Sequence, residues 1–88
     1  MKNNQKIILQ SLSMDLLRAA LGRHRSSHAM ADRFIKESQK RIEELDPTFS
    51  TKIIKDLKNI LVTKSGRQAE DLLMYSTLIR NRANSFRV

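Results

Sequence analysis

Three observations predict an all-α fold. The 88-residue chain is rich in Leu, Ile, Ala, Lys, Arg and Glu and has no run of alternating β-branched residues. One proline and two glycines leave few points at which a helix must break. Apolar residues recur at helical spacing along most of the length. The expected architecture is a single domain over residues 1–88: a long N-terminal helix, or a helix pair broken near 22–27, packed with a C-terminal helical hairpin in a helical bundle.

In the N-terminal half, residues 7–21 are amphipathic, with Ser11, Asp15 and Arg18 assigned to the wet side. Residues 28–45 are amphipathic too. There Asp32/Lys36 and Glu37/Arg41 form outward i,i+4 pairs, each contributing about 0.2–0.5 kcal/mol. Between the two stretches lies Gly22-Arg23-His24-Arg25-Ser26-Ser27. Propensity favours a turn here, because one Gly and two Ser cost about 2 kcal/mol relative to Ala inside a helix, and Ser27 could cap a new helix. Periodicity favours continuity. Ile7, Gln10, Met14, Leu17, Leu21, His24, His28, Ala31, Ile35, Ser38, Ile42 and Leu45 keep a seven-residue repeat in phase across the segment. The repeat tips the reading toward one helix over about 4–45, roughly 60 Å long. Such a rod overhangs any core the remaining residues could build, so a partner chain, in the simplest case a homodimer, is expected along it. A broken pair would instead close a four-helix bundle.

Asp46 with Pro47, or Ser50 slightly later, starts the third helix, predicted over about 48–63. Phe49, Ile53, Leu57, Ile60 and Leu61 make its apolar stripe, and Lys64-Ser65-Gly66 ends it. Ser65 and Gln68 have the spacing of a capping box for the fourth helix, about 66–86. Leu72, Leu73, Tyr75, Ser76, Ile79, Ala83 and Phe86 are assigned to its inner face. Glu70 and Asp71 near its start and Arg80, Arg82 and Arg87 toward its end follow the order a helix dipole favours.

Composition narrows the chemistry. Without cysteine there is no disulfide, no thiolate nucleophile and no Cys-ligated metal centre. Glycines at 22 and 66 alone exclude a glycine-rich phosphate loop. No serine sits in a nucleophile-elbow context, and the carboxylates fall on solvated helix faces. The expectation is a non-enzymatic protein without a cofactor. The longest uninterrupted apolar run is three residues, far below a membrane span, and no signal-peptide cleavage pattern follows Ile7-Ile8-Leu9. A cytoplasmic protein with no membrane partner is therefore expected.

The 17 Lys+Arg against 9 Asp+Glu, net +8, point to an anionic partner. The excess is uneven: residues 1–46 hold 9 basic and 6 acidic side chains, residues 47–88 hold 8 and 3. The candidate nucleic-acid-binding residues are Lys52, Lys55, Lys58, Lys64, Arg67, Arg80, Arg82, Asn84 and Arg87. Lys and Arg neutralise phosphates, and Arg and Asn suit the base edges of guanine and adenine. No reading motif accompanies them. Ser65 and Arg67 flank Gly66 where a helix-turn-helix would place small apolar residues, and the few aromatics fall mostly on core stripes. An acidic protein is the other anionic partner, and a self-associating interaction module is the alternative function. One constellation resembles a metal site: His24, His28 and Asp32, which a continuous helix would line up as a divalent-metal set. The same histidines also read as polar positions in a helix seam.

Overall fold

The computed structural model describes residues 3–45, 52–63 and 66–85. Among them the chain forms four helices and no strand: α1 (Asn3–His24), α2 (His28–Glu44), α3 (Lys52–Val62) and α4 (Gln68–Asn84). The expected capping role of Asp46, Pro47 or Ser50, the core places of Phe49 and Phe86, and Ser65 lie outside the described residues.

The single long helix is not formed. The chain reverses at Arg25-Ser26-Ser27, and the whole molecule is 38 Å in its longest dimension, well short of the roughly 60 Å a continuous rod would need. The stop is made by Ser26, which adopts a left-handed conformation with φ 58°. Around it the Ser27 N–H donates to the Gly22 carbonyl at 2.8 Å and the Ser26 N–H to the Arg23 carbonyl at 3.1 Å. This pair of bonds satisfies carbonyls that a helix end otherwise leaves bare. Ser27 precedes α2 as expected, but its hydroxyl makes no capping bond; its carbonyl accepts from the Ala31 N–H at 3.0 Å.

What holds the reversal shut is Gly22. A Cβ built there would stand 2.7 Å from the Ala31 backbone nitrogen and 3.0 Å from its Cα. Backbone cannot yield as a side-chain tip can, so only glycine lets α1 and α2 come this close. Glycine in a helix costs about 1 kcal/mol relative to alanine, and the close approach that it permits offsets that cost.

The helices form a ring in which α1 packs on α2 and α4, and α3 closes the circuit between them more loosely. Arg23 near the end of α1 meets Gln68 at the start of α4, while Leu9 near the start of α1 shares a groove with Ile79, Arg82 and Ser85. The two helices are therefore antiparallel. By the same logic Gln68 reaches Ile60 while Ile54 lies by Ile79, so α3 and α4 are antiparallel as well. The result is an up-down-up-down bundle.

The core consists of Leu9, Leu12, Leu16, Ala19 and Ala20 from α1, Ile35 and Ile42 from α2, Ile54, Leu57 and Leu61 from α3, and Leu72, Tyr75, Ile79 and Ala83 from α4. On α1 this is not the face that the seven-residue repeat selects. Ile7, Met14 and Leu21 are 59%, 46% and 39% exposed, and Asp15, assigned to the wet side, is buried. On α2 the repeat is inward as expected, at Ala31, Ile35, Ser38 and Ile42. Leu73, assigned to the inner face of α4, is exposed. The reason is a matter of phase. Once the chain reverses at Ser26, nothing ties the register of α1 to that of α2, and α1 turns the stripe through Leu12 and Leu16 inward. None of the helices is long and apolar enough to cross a membrane, among the described residues.

Replacing Gly22 with Ala should lower stability by about 1–3 kcal/mol, because overpacking against backbone outweighs the better helix propensity. Gly66→Ala, where a Cβ meets nothing within 4 Å, should leave the urea midpoint close to wild type. A Gly22→Ala protein more stable than wild type would contradict the close approach.

Candidate nucleic-acid interface

The described cations of α3 and α4 stand on the surface. Lys52, Lys55 and Lys58 are exposed on α3; Arg80, Arg82 and Asn84 are exposed on α4; Arg67 is exposed in the turn before α4. Lys64 and Arg87 lie outside the described residues. The fold groups these side chains unevenly. Arg82 borders a groove of about 280 Å³ floored by Leu9, Ile53, Ile54, Leu78 and Ile79 and edged by Asn81 and Ser85. Lys52, next to Ile53 in sequence, stands at the same end of the α3–α4 pair, and Lys55 follows one turn on. Lys58 faces the other way, into the α2–α3 groove with Gln39, Ile42, Glu43 and Val62. Arg80 is two residues from Arg82, hence about 200° round the helix, and points to the flank of α4 away from α3. The basic residues are thus not one patch. Lys52 and Arg82 stand at the same end of the α3–α4 pair, and Lys58 and Arg80 are turned to other sides.

Pairing separates the two halves of the chain. Ion pairs knit α1 and α2: Arg18 and Arg41 with Asp15 at 3.6 and 3.7 Å, Arg23 with Asp32 at 3.2 Å, Lys40 with Glu37 at 3.7 Å and Arg41 with Glu44 at 3.3 Å. Lys52, Lys55, Lys58, Arg80 and Arg82 make none. Tyr75 has its phenol held above the ordinary range by burial, with the negative charges of Asp56 and Asp71 adding to the effect.

Arg18, Arg23 and Arg25 take different roles. Arg25 is exposed at the turn. Arg18 lies over the Phe34 ring at 5.5 Å, a cation–π contact that Arg33 repeats at 5.4 Å. Arg23 is structural. Its Nε donates to Gln68 Oε1 at 2.8 Å, one terminal nitrogen to Asp32 Oδ1 at 3.2 Å, and the other to His28 Nδ1 at 3.3 Å. Gln68 Nε2 in turn donates to the Ile60 carbonyl at 3.0 Å. One guanidinium thereby ties α1 to α2 and α4, and through Gln68 to α3. Gln68 is buried in this link, and the Ser65 half of the capping box expected of it lies outside the described residues.

The same contacts take apart the proposed metal set. His24 ends α1 and His28 begins α2, with the reversal between them, so His24, His28 and Asp32 do not share a strip. The cation at the centre of His28 and Asp32 is the protein's own guanidinium. No group of three metal-ligating side chains assembles among the described residues. The expected i,i+4 pairs also give way: Asp32 pairs with Arg23 rather than Lys36, and Arg41 with Asp15 and Glu44 rather than Glu37.

Asp15 is the one buried acid among the described residues. Its Oδ2 and Arg41 Nε face each other at 3.7 Å, too far for a hydrogen bond, and both atoms lack a hydrogen-bond partner. Burial raises its pKa, Arg41 and Arg18 oppose the rise, and Glu37 adds to it. An acid whose pKa rises on folding holds its proton more tightly in the folded chain. Its contribution therefore falls as pH climbs from the ordinary carboxylate range through the raised value, and is level below it.

Two expectations follow. Arg23→Ala should cost about 1–3 kcal/mol in urea unfolding, and Gln68→Ala added to it should cost much less than it does alone, since the two residues share one link. Full additivity would contradict the clasp. Asp15→Asn should gain stability relative to wild type as pH rises from about 3 to about 6, read as the difference in melting temperature; a constant difference, or one that moves in favour of wild type, would contradict it. Comparison of the chain with models of known protein families, with curated proteins and with solved structures found no match, so the functional reading rests on these residues alone.

Proposed function

We propose that this is a small non-enzymatic binding protein whose α3–α4 side takes the phosphate backbone of a nucleic acid. The observation that carries the reading is the division of charge. The α1–α2 hairpin pairs Arg18, Arg23, Lys40 and Arg41 with its own carboxylates and leaves Arg25, Arg33 and Lys36 exposed without an ion pair, whereas none of Lys52, Lys55, Lys58, Arg80 and Arg82, all exposed, has an ion pair among the described residues. Phosphate binding needs cations that no internal partner has to release, because each neutralised phosphate frees a counterion and adds to affinity. Asn81 and Ser85 beside Arg82 supply hydrogen-bonding groups at the same end of the α3–α4 pair.

Sequence-independent binding is the form this surface supports. Base reading requires a helix that enters a groove with several side chains aimed at base edges, and Arg80 and Arg82 lie on opposite flanks of α4. Exposed cations spread over several flanks of α3 and α4 suit contact along a backbone. An acidic protein would meet the same side chains, and the salt dependence and substrate competition of binding tell the two apart.

Binding to a mixed duplex or to RNA, followed by fluorescence anisotropy, should weaken with salt with a log–log slope of about −3 or steeper. Lys52→Glu with Lys55→Glu should reduce affinity at least about tenfold and flatten that slope. Arg25→Glu with Lys36→Glu, an equal change in net charge on the other half of the bundle, should do much less. Absence of binding at low salt, or equal losses from both pairs, would overturn the reading.

A further inference from the structure

The groove between α3 and α4 is apolar at one end and polar at the other. Leu9, Ile54 and Ile79 at its base are buried, Ile53 is half-buried, and Leu78 is exposed beside them. Along α4 the lining residues Leu78, Arg82 and Ser85 recur at i, i+4 and i+7 and so share one side of the helix. Met74, one turn before Leu78 on that side, is exposed as well. The side therefore runs from apolar at Met74 and Leu78 to polar at Asn81, Arg82 and Ser85, toward the end of the helix. Since α3 is antiparallel to α4, its first residue, Lys52, adds a second cation at the polar end. No carboxylate lines the groove among the described residues.

We infer that this groove binds a medium-chain aliphatic carboxylate, with its tail along Leu78 and its head at Arg82. Three features favour that occupant. The first is charge. Arg82 is exposed and has no ion pair among the described residues, and the Asn81 amide beside it offers N–H donors, so both can donate to a carboxylate. The end of α4 is the negative pole of its dipole, which opposes an anion. That opposition is reduced, because the Ser85 hydroxyl donates to the Arg82 carbonyl at 3.0 Å and the Ser85 N–H to the Asn81 carbonyl at 3.1 Å. Ile53 and Ile54, in the first turn of α3, also bring the positive pole of that helix to the groove. With the two poles opposed, the side-chain cations decide the sign. The second feature is size. The groove holds about 280 Å³. An apolar cavity of about 150 Å³ takes one benzene, so the groove suits a chain of about eight to ten carbons. The third is the lining. It is aliphatic, with no ring among the described lining residues, which suits a flexible chain and lacks the stacking surface that a nucleobase needs. A mainly apolar lining with a few convergent polar groups is the usual form of a small-ligand site.

Tail and head make separate contributions. Each methylene buried against the aliphatic lining strengthens binding about two- to fourfold until the groove is filled, whereas the head adds a charge-assisted bond that an alcohol of the same length cannot make. Arg82 belongs both to this groove and to the cations of the nucleic-acid reading, but the inference does not rest on that reading. Lys58 and Arg80 stand outside the groove, and loss of nucleic-acid binding leaves its shape and lining unchanged.

Amide chemical shifts followed by NMR during titration of the full chain with hexanoate and octanoate test the inference. Octanoate should bind with a Kd of about 1 mM or tighter, hexanoate at least about fourfold more weakly, and the largest shifts should fall at Ile53, Ile54, Leu78 and Ile79. Arg82→Gln changes an exposed residue, so it should keep the wild-type circular dichroism. It should weaken octanoate at least about fivefold and leave octanol unchanged. Leu78→Asn should weaken octanoate and octanol alike, and Lys58→Gln, outside the groove, should weaken neither. Absence of shifts at the groove with octanoate at about ten times that Kd overturns the inference. Shifts spread evenly over all four helices overturn it too, as does octanoate binding indifferent to Arg82→Gln. A mononucleotide that shifts the groove residues where octanoate does not would assign the groove to the nucleic-acid surface instead and overturn it as well.

Discussion

The approach of α1 to α2 at Gly22 governs the rest of the structure. With the Ala31 backbone where a Cβ would otherwise stand, the two helices touch at their joined ends and lie side by side. That contact places Arg23, the next residue, within reach of Asp32 and His28 on α2 and of Gln68 on α4. A wider hairpin would move the guanidinium away from at least one of these partners. The loosely packed α3 is then held at this end through the bond from Gln68 to the Ile60 carbonyl. A chain with no disulfide has in this clasp a polar substitute for a staple, layered over a core made mainly of Leu, Ile and Ala.

The division of labour between the halves follows from the same geometry. The reversal brings Arg23 opposite Asp32 and Arg41 opposite Asp15, while the pairs Arg18–Asp15, Lys40–Glu37 and Arg41–Glu44 form within single helices. In α3 and α4 the acids are fewer, and the lysines point outward. Surface ion pairs of this kind contribute little to stability individually. Their consequence here is that Arg18, Arg23, Lys40 and Arg41 have carboxylates beside them, while Lys52, Lys55, Lys58, Arg80 and Arg82 do not. The outer side of α1 is different again, with Ile7, Met14 and Leu21 exposed along one strip.

Much of the fold was legible in the sequence. The C-terminal hairpin and most of its core, Leu57, Leu61, Leu72, Tyr75, Ile79 and Ala83, follow directly from helical spacing. The choice between rod and hairpin was misread because the phase of a repeat in α1 and α2 carries no information about what joins them. Gly22, the conspicuous helix breaker, sits within α1 and serves the close approach, while the left-handed turn falls on Ser26, a residue type that does not advertise it. The facing side of α1 was ambiguous for a different reason: Ile7, Ile8, Leu9, Leu12, Met14, Leu16, Leu17 and Leu21 are more apolar side chains than one stripe can bury. The cations of α3 and α4 were identifiable by type, but their grouping was not. Which flank of α4 faces α3 depends on tertiary packing, and that decides that Arg82 joins Lys52 and Arg80 does not. The Arg23 clasp was invisible, since its partners lie at positions 28, 32 and 68.

The closed hairpin can be measured directly, because a chain without cysteine accepts two introduced ones for spin labelling without interference. Gln10 on α1 and Lys40 on α2 are both exposed and suit the purpose. With labelled chains diluted into unlabelled ones, so that only distances within a chain are read, the hairpin predicts a separation below about 25 Å. A continuous helix places the two residues about 45 Å apart. A distribution centred near the longer distance would contradict the reversal at Ser26 and, with it, the clasp and the apolar outer face of α1.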